Sequence, residues 1–173
     1  TGTLSDYSNE VLQLQIKHLA LEHFRLFTAR QLQGELNALI AFRGMLTQPQ
    51  IDGDVKLQKF TIDQCWIGDI QAQTHWEDTL KQLNMVGQVN HLQKQAITIQ
   101  GTYAPAKEED SLQLTAQLSH APLTMLEPFV KESVSQLVGA LSGTVCIHGS
   151  PSFPRLTGEA RITDAAVKVN HLG

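Results

Sequence analysis

The chain has 173 residues, 42% apolar, 17% charged and 6% aromatic, with a net charge of −4. The apolar share argues against a disordered chain, and the length fits one domain, or one and a fraction, with a sizeable core. The negative balance argues against nucleic-acid binding, which needs a basic face, and no apolar run approaches the roughly 20 residues of a membrane-spanning helix.

In chain order, residues 1–18 read as the end of a preceding β unit. A helical period covers about Leu19 to Arg30, with Leu19, Leu21, Phe24, Leu26 and Phe27 on its apolar side. Its polar side holds only Glu22, His23 and Arg25, with no basic stripe, so it reads as a cap on one end of a sheet core rather than a lipid-surface helix. Alternation then takes over. Leu36, Ala38, Ile40 and Phe42 fall on one face. Ile51, Gly53, Val55 and Leu57 alternate with Asp52, Asp54, Lys56 and Gln58. Ile70, Ala72, Thr74 and Trp76 alternate with Gln71, Gln73 and His75, and Leu112, Leu114, Ala116 and Leu118 with Gln113, Thr115 and Gln117. A second helical stretch covers about Leu123 to Leu137. Leu141, Gly143, Val145 and Ile147 then alternate with Ser142, Thr144 and His148, and Leu156, Gly158, Ala160 and Ile162 with Arg155, Thr157, Glu159 and Arg161. Period two over so many segments means half-buried strands with one wet face, much of it supplied by the 18 Gln residues. Turn signals fall at Gln48-Pro49, Asp52-Gly53, Ala104 to Asp110 and Gly149-Ser150-Pro151. The start at Thr1 and the end at His171-Leu172-Gly173 read as a piece cut from a longer protein.

The two helical stretches point to a repeat. An ungapped offset of 105 lays residues 21–62 on 126–167 with ten identities in 42 positions, among them Gly34 on Gly139, Gly44 on Gly149, Pro49 on Pro154 and Gly53 on Gly158. Ile40 meets Val145, Phe42 meets Ile147, Ile51 meets Leu156 and Leu57 meets Ile162. The expected division is therefore 19–123 as one unit (short helix plus strands) and 124–173 as a second, truncated one. Amphipathic strands in such a unit cannot bury their apolar face alone, so neighbours must continue one sheet.

The run Leu126-Glu127-Pro128-Phe129, then Leu137 to Gly143, then Ile147 to Gly158, resembles the C-terminal region of the TamB-like translocation and assembly module family, in particular its Bacteroidetes-type branch. That pattern reads L-x-P-F, a strand ending G-T or G-S, then P-x-[LI]-x-G. Gly53 to Ile62, Ile67 to Ile70, His75 to Asp78 and Ile99 to Pro105 resemble the same family's G-x-L, W-D and L-x-G-x-Y-x-P segments. Two positions depart from it: Glu77-Asp78 stands where the family often has a bare acidic turn, and Ser150 stands where Thr is usual. The resemblance, to an AsmA-like, bridge-like lipid-transfer superfamily, implies a mainly β, highly curved and incompletely closed groove. It implies anchorage in the inner membrane of a Gram-negative bacterium and passage across the periplasm. It implies phospholipid acyl chains as cargo and an outer-membrane protein of TamA or BamA type as partner.

The candidate groove lining is Leu36, Ile40, Phe42, Val55, Leu57, Ile70, Leu112, Leu114, Leu141, Val145, Ile147, Leu156 and Ile162. An aliphatic lining gains about 0.8 kcal/mol for each acyl CH₂ taken from water, and a buried unpaired donor would cost about 1–3 kcal/mol. Neither a cofactor nor a metal is expected. The seven histidines are scattered, His18 and His23 are ill-spaced for one helix face, and no HExxH or Cys/His cluster occurs. Cys65 and Cys146 fit no zinc or CxxC spacing and read as buried free thiols, with a disulfide as the alternative. No GxSxG, P-loop or GxGxxG is present, and Glu108-Glu109-Asp110 reads as a solvated hairpin tip. The expected function is a non-enzymatic lipid conduit. The alternative is a scaffold that assists outer-membrane protein (autotransporter) assembly by pairing an edge strand with a client.

Overall fold

The computed structural model describes residues 11–26, 30–43, 50–107, 109–130 and 134–169. Nine strands follow one another: β1 (Val11–Ala20), β2 (Leu32–Arg43), β3 (Gln50–Ile62), β4 (Cys65–Glu77), β5 (Gln82–His91), β6 (Lys94–Tyr103), β7 (Leu112–Pro122), β8 (Val134–Ser150) and β9 (Phe153–Val169). Each pairs antiparallel with the next, so one open, mainly β sheet forms, with β1 and β9 at its edges. Two links are two-residue turns with both residues at positive φ: Asp63 and Gln64 (48° and 71°), and Leu92 and Gln93 (50° and 61°). This is the backbone twist that matches antiparallel strands, adopted here without glycine.

The helical elements are short. A 3-10 turn, Leu21–Leu26, follows β1. After β7 comes a strap, residues 123–130, made of a 3-10 turn (Leu123–Leu126) and one α-helical turn (Glu127–Val130). Both expected helices are thus shorter than their sequence periods: Leu19 and Ala20 belong to β1, and Leu137 belongs to β8. A β-bulge lies just before each stretch. Register slips between Ile16 and Leu19, and between Leu118 and Ala121, insert a residue into the alternation and create an i, i+3 apolar spacing that mimics a helix. Asp52-Gly53, expected as a turn, lies inside β3, and Gly149-Ser150 ends β8, leaving the turn to Pro151 and Ser152. Phe27, Gly44, Gln48-Pro49, Glu108, His171 and residues 1–10 lie outside the described residues.

Two sets of bulges recur along the chain. His18 (φ 52°) and His120 (φ 51°) sit in the slips of β1 and β7, and each donates its backbone N–H, at 3.0 Å, to a side-chain oxygen on the next strand, Asn37 Oδ1 and Ser142 Oγ respectively. Gly34 (φ 133°) lies against Gln58, Lys59 and Phe60, and Gly139 (φ 126°) against Thr163, Asp164 and Ala165. Lys59 and Asp164 share φ 52°.

The buried cluster sits under the strap. Ile67, Val89, Ala96, Ala121 and Met125 pack together, with Phe60, Ile62, Cys65, Ile70, Ile97 and Leu118 around them. Polar ties fasten the strap's outer end. Cys65 Sγ donates to the Thr124 carbonyl at 2.8 Å, and Arg30 donates to the Pro128 carbonyl and, at 2.8 Å, to Asp63 Oδ2. The Arg30 guanidinium also lies 5.9 Å from the Phe129 ring centroid. In a flat sheet β4 and β7 would be about 14 Å apart, three inter-strand steps. The strap meets the start of β4 at Cys65 and is linked through Arg30 to Asp63 in the β3–β4 turn.

Candidate functional site

Residues directly opposite in an antiparallel pair point to the same side, so the register assigns every strand position to a face. One row runs Leu19, Leu36, Leu57, Ile70, Val89, Ile97, Leu118, Gly143, Ala160 across all nine strands. The next runs Ile16, Ala38, Val55, Ala72, Gly87, Ile99, Ala116, Val145, Gly158. A third runs Leu14, Ile40, Gly53, Thr74, Met85, Gly101, Leu114, Ile147, Leu156. Beyond it lie Leu12, Phe42 and Ile51 on β1–β3, and Trp76, Leu83, Tyr103, Leu112 and Gly149 on β4–β8. Leu141 and Ile162 face each other above the Gly143–Ala160 pair. All thirteen residues expected to line a groove therefore share one side of one sheet. These rows contain no charged side chain; Thr74, Tyr103 and Trp76 supply their polar side-chain atoms.

Burial on this face is graded. Trp76 (6% exposed) and Val89 are buried, and Leu36, Ile40, Phe42, Val55, Leu57, Ile70, Leu112, Leu114, Leu141, Val145 and Ile147 are half-buried. They are sheltered by one another, since no second sheet covers them among the described residues. On the edge strand β9 the shelter ends: Leu156 is 67% and Ile162 52% exposed. Sequence reading missed the contributions of β1, β5 and β6, namely Leu14, Ile16, Leu83, Met85, Val89, Ile97 and Ile99. The alternation of Ile97, Ile99, Gly101 and Tyr103 with Thr98, Gln100 and Thr102 was the signal for β6. In β5, Val86 on the wet side weakens the pattern.

The opposite face is polar, and its side chains bond to one another. Gln95 Nε2 donates to Gln88 Oε1 at 3.0 Å, Gln88 Nε2 to Gln71 Oε1 at 2.8 Å, and Gln73 Nε2 to Asp54 Oδ2 at 2.9 Å. Asp52 accepts from Arg43, from His75 Nδ1 (2.8 Å) and from the Trp76 backbone N–H (3.1 Å). Glu35 accepts from Asn37 Nδ2 (3.1 Å) and His18 Nδ1 (2.7 Å), and these bonds, Asn37 first, hold its carboxyl below the ordinary range. Three open clefts of about 270, 910 and 500 Å³ are lined largely from this side, by residues such as Lys56 and Gln88, Thr102 and His148, and Asp52 and Asn84. In the largest, Arg155 is neutralised by Asp110 at 2.6 Å.

The chemistry available to reactive groups is limited. Among the described residues no three His, Cys, Asp or Glu side chains come together to hold a metal ion. Cys65 and Cys146 are free thiols, half-buried rather than buried as expected from sequence. They lie on different strands, and Cys146 faces the polar side opposite Thr115 and Thr157. Burial, helped by the nearby charge of Glu127, pushes the Cys65 thiol up, so it stays protonated and donates to Thr124. What the arrangement can do is hold apolar material: a broad aliphatic face backed by a hydrogen-bonded polar one. The chain matches no known protein-family model, no curated protein and no solved structure.

Proposed function

We propose that this chain is a non-enzymatic segment of an apolar β-groove that carries phospholipid acyl chains between the inner and outer membranes. The observation that carries the reading is the uncharged face that runs unbroken across nine strands. A lipid conduit needs such a surface, whereas a soluble single-layer sheet gains nothing from leaving it uncovered. Its aliphatic composition supports a mobile cargo, because aromatic side chains hold a ligand in preferred stacked poses. The groove is built from repeats. The matched glycine contacts at Gly34 and Gly139, and the shared positive φ of Lys59 and Asp164, support that division. On the resemblance to the TamB-like family, the protein works in the periplasm of a Gram-negative bacterium, with an outer-membrane partner of TamA or BamA type.

A second reading has its own observation. β9 is a 17-residue edge strand with every described side chain exposed, including Phe153 at 80%. Among the described residues no strand pairs with its outer side, and an edge of that length can accept a client strand, as an assembly scaffold does. One experiment separates the two. A photo-crosslinking residue is placed in cells at Leu57, Val145 or Ile147, and at Lys56 or Thr144 on the other face. Phospholipid adducts from the first set alone support the conduit. Adducts to protein, or no preference between faces, refute it and favour the scaffold.

A further inference from the structure

We propose that the strap, residues 123–130, is a movable flap that competes with acyl chains for the apolar face beneath it. This rests on the groove reading and adds a control point to it.

The first ground is what the strap covers. Met125 (5% exposed) packs into the cluster formed by Ile67, Val89, Ala96 and Ala121, beside Ile70, Ile97 and Leu118. Ile70, Val89, Ile97 and Leu118 are consecutive members of one row of the groove face. An acyl chain lying along that row and the Met125 side chain would need the same space. Methionine is unbranched, flexible and apolar, the side chain that most resembles a short acyl segment.

The second ground is how the strap is held. Its outer end has the thiol bond from Cys65 to Thr124, the Arg30 bond to Pro128, and the Arg30 contact with the Phe129 ring. Near its return to β8, Glu127 Oε1 accepts the Leu137 N–H at 2.8 Å. None of these is a rung of the sheet. The β7–β8 ladder, Leu112↔Gly149 through Pro122↔Ala140, is complete without them. The strap can therefore lift while the strands stay paired, as low-stability elements do in functional motions.

The third ground is the strap's outer side. Leu126 (41%), Phe129 (65%) and Val130 (36%) are exposed. A flap that is apolar on both sides meets acyl chains with apolar groups whether it is open or closed.

The test uses the full 173-residue chain. Trp66→Phe and Trp76→Phe remove both tryptophans, and Ile70→Trp places a single reporter in the row beneath the strap. Vesicles of phosphatidylcholine with brominated acyl chains serve as quencher. To lock the flap, Thr124→Cys is combined with Cys146→Ser and oxidised to a disulfide with Cys65, which is verified by mass. To loosen it, Arg30→Ala removes the clamp at Pro128. With the open state about 10% populated, loosening raises apparent affinity up to about tenfold, because affinity scales with the competent fraction. The locked protein should lose quenching and regain it on reduction. A locked protein that is quenched like the reduced one overturns the flap and leaves the groove standing. An Arg30→Ala protein that is quenched no more than the parent also overturns it, since the clamp then holds nothing shut. Absence of quenching in every variant refutes the groove reading itself.

Discussion

Met125→Ala is the sharpest test of how this sheet is held together. Met125 is 5% exposed and belongs to a buried cluster with Ile67 of β4, Val89 of β5, Ala96 of β6 and Ala121 of β7. Burying such a side chain contributes about 1.5–3 kcal/mol, and truncating a fully buried Met to Ala costs about 2–5 kcal/mol once the cavity is included. The site lies under a strap only eight residues long, at the rim of the sheet, so the gap can partly collapse, and the lower end, about 2 kcal/mol, is expected. With a urea slope of about 2 kcal/mol/M, the unfolding midpoint falls by about 1 M. The assay is a urea titration followed by tryptophan fluorescence. Leu39→Ala is the control: Leu39 is apolar but 50% exposed and lies on the polar face, opposite Gln15 and Asp54, so its loss stays within about 0.5 kcal/mol. A Met125→Ala protein that unfolds within 0.5 kcal/mol of the parent would refute the packing of strap on sheet.

Gly34→Ala and Gly139→Ala should each destabilise by about 1–3 kcal/mol, since both sit at positive φ and an added Cβ would come 2.8 Å from the Gln58 carbonyl oxygen and 2.7 Å from that of Thr163. Urea titration of the two variants should give similar losses, and a loss at one position only would count against the proposed repeat. For Cys65 the thiol pKa is raised in the folded state, so its contribution is fully present below the ordinary thiol range and is lost as pH rises through and above it. The urea midpoint should therefore fall more between pH 8 and pH 10 in the parent than in Cys65→Ser, and equal falls would refute the buried thiol bond to Thr124.

The strands that alternate cleanly were legible because one-sided burial forces period two. β3, with Asp, Asp, Lys and Gln against Ile, Gly, Val and Leu, is the plainest case. The thirteen positions expected to line a groove follow from that phase alone, and a shared register then puts them on one side. What was hidden is where phase breaks. At His18 and His120 a single bulged residue shifts the pattern, and the apolar residues on either side acquire helical spacing. Asp52-Gly53 carries turn chemistry, but the Asp52 carboxylate bonds to Arg43, His75 and the Trp76 N–H instead of its own backbone, so the strand continues. The turns at Asp63-Gln64 and Leu92-Gln93 lack the usual glycine, which concealed the β3–β4 and β5–β6 boundaries. Met125 was out of reach because a strap folded over a sheet is a long-range contact with no period in sequence.

Domains ordinarily bury a sheet's apolar face against a second layer. Here, among the described residues, the second layer is the strap, and it covers one row of β4–β7. The remaining apolar positions rely on mutual shelter, which fails at β9, where Leu156 and Ile162 stand more than half exposed. A face this wide is a standing source of free energy for whatever covers it. At about 25 cal/mol per Å² of apolar surface, a few hundred Å² of contact is worth several kcal/mol. A partner protein would take that gain by supplying matched side chains, with polar groups at its rim. The face offers it no charge or hydrogen-bonding row to fix a register, since Thr74, Tyr103 and Trp76 are scattered over its rows. Acyl chains need no such register. An uncharged, mainly aliphatic face is poorly suited to specify one protein partner and well suited to many equivalent placements of a hydrocarbon chain, and that asymmetry favours the conduit over a packed interface.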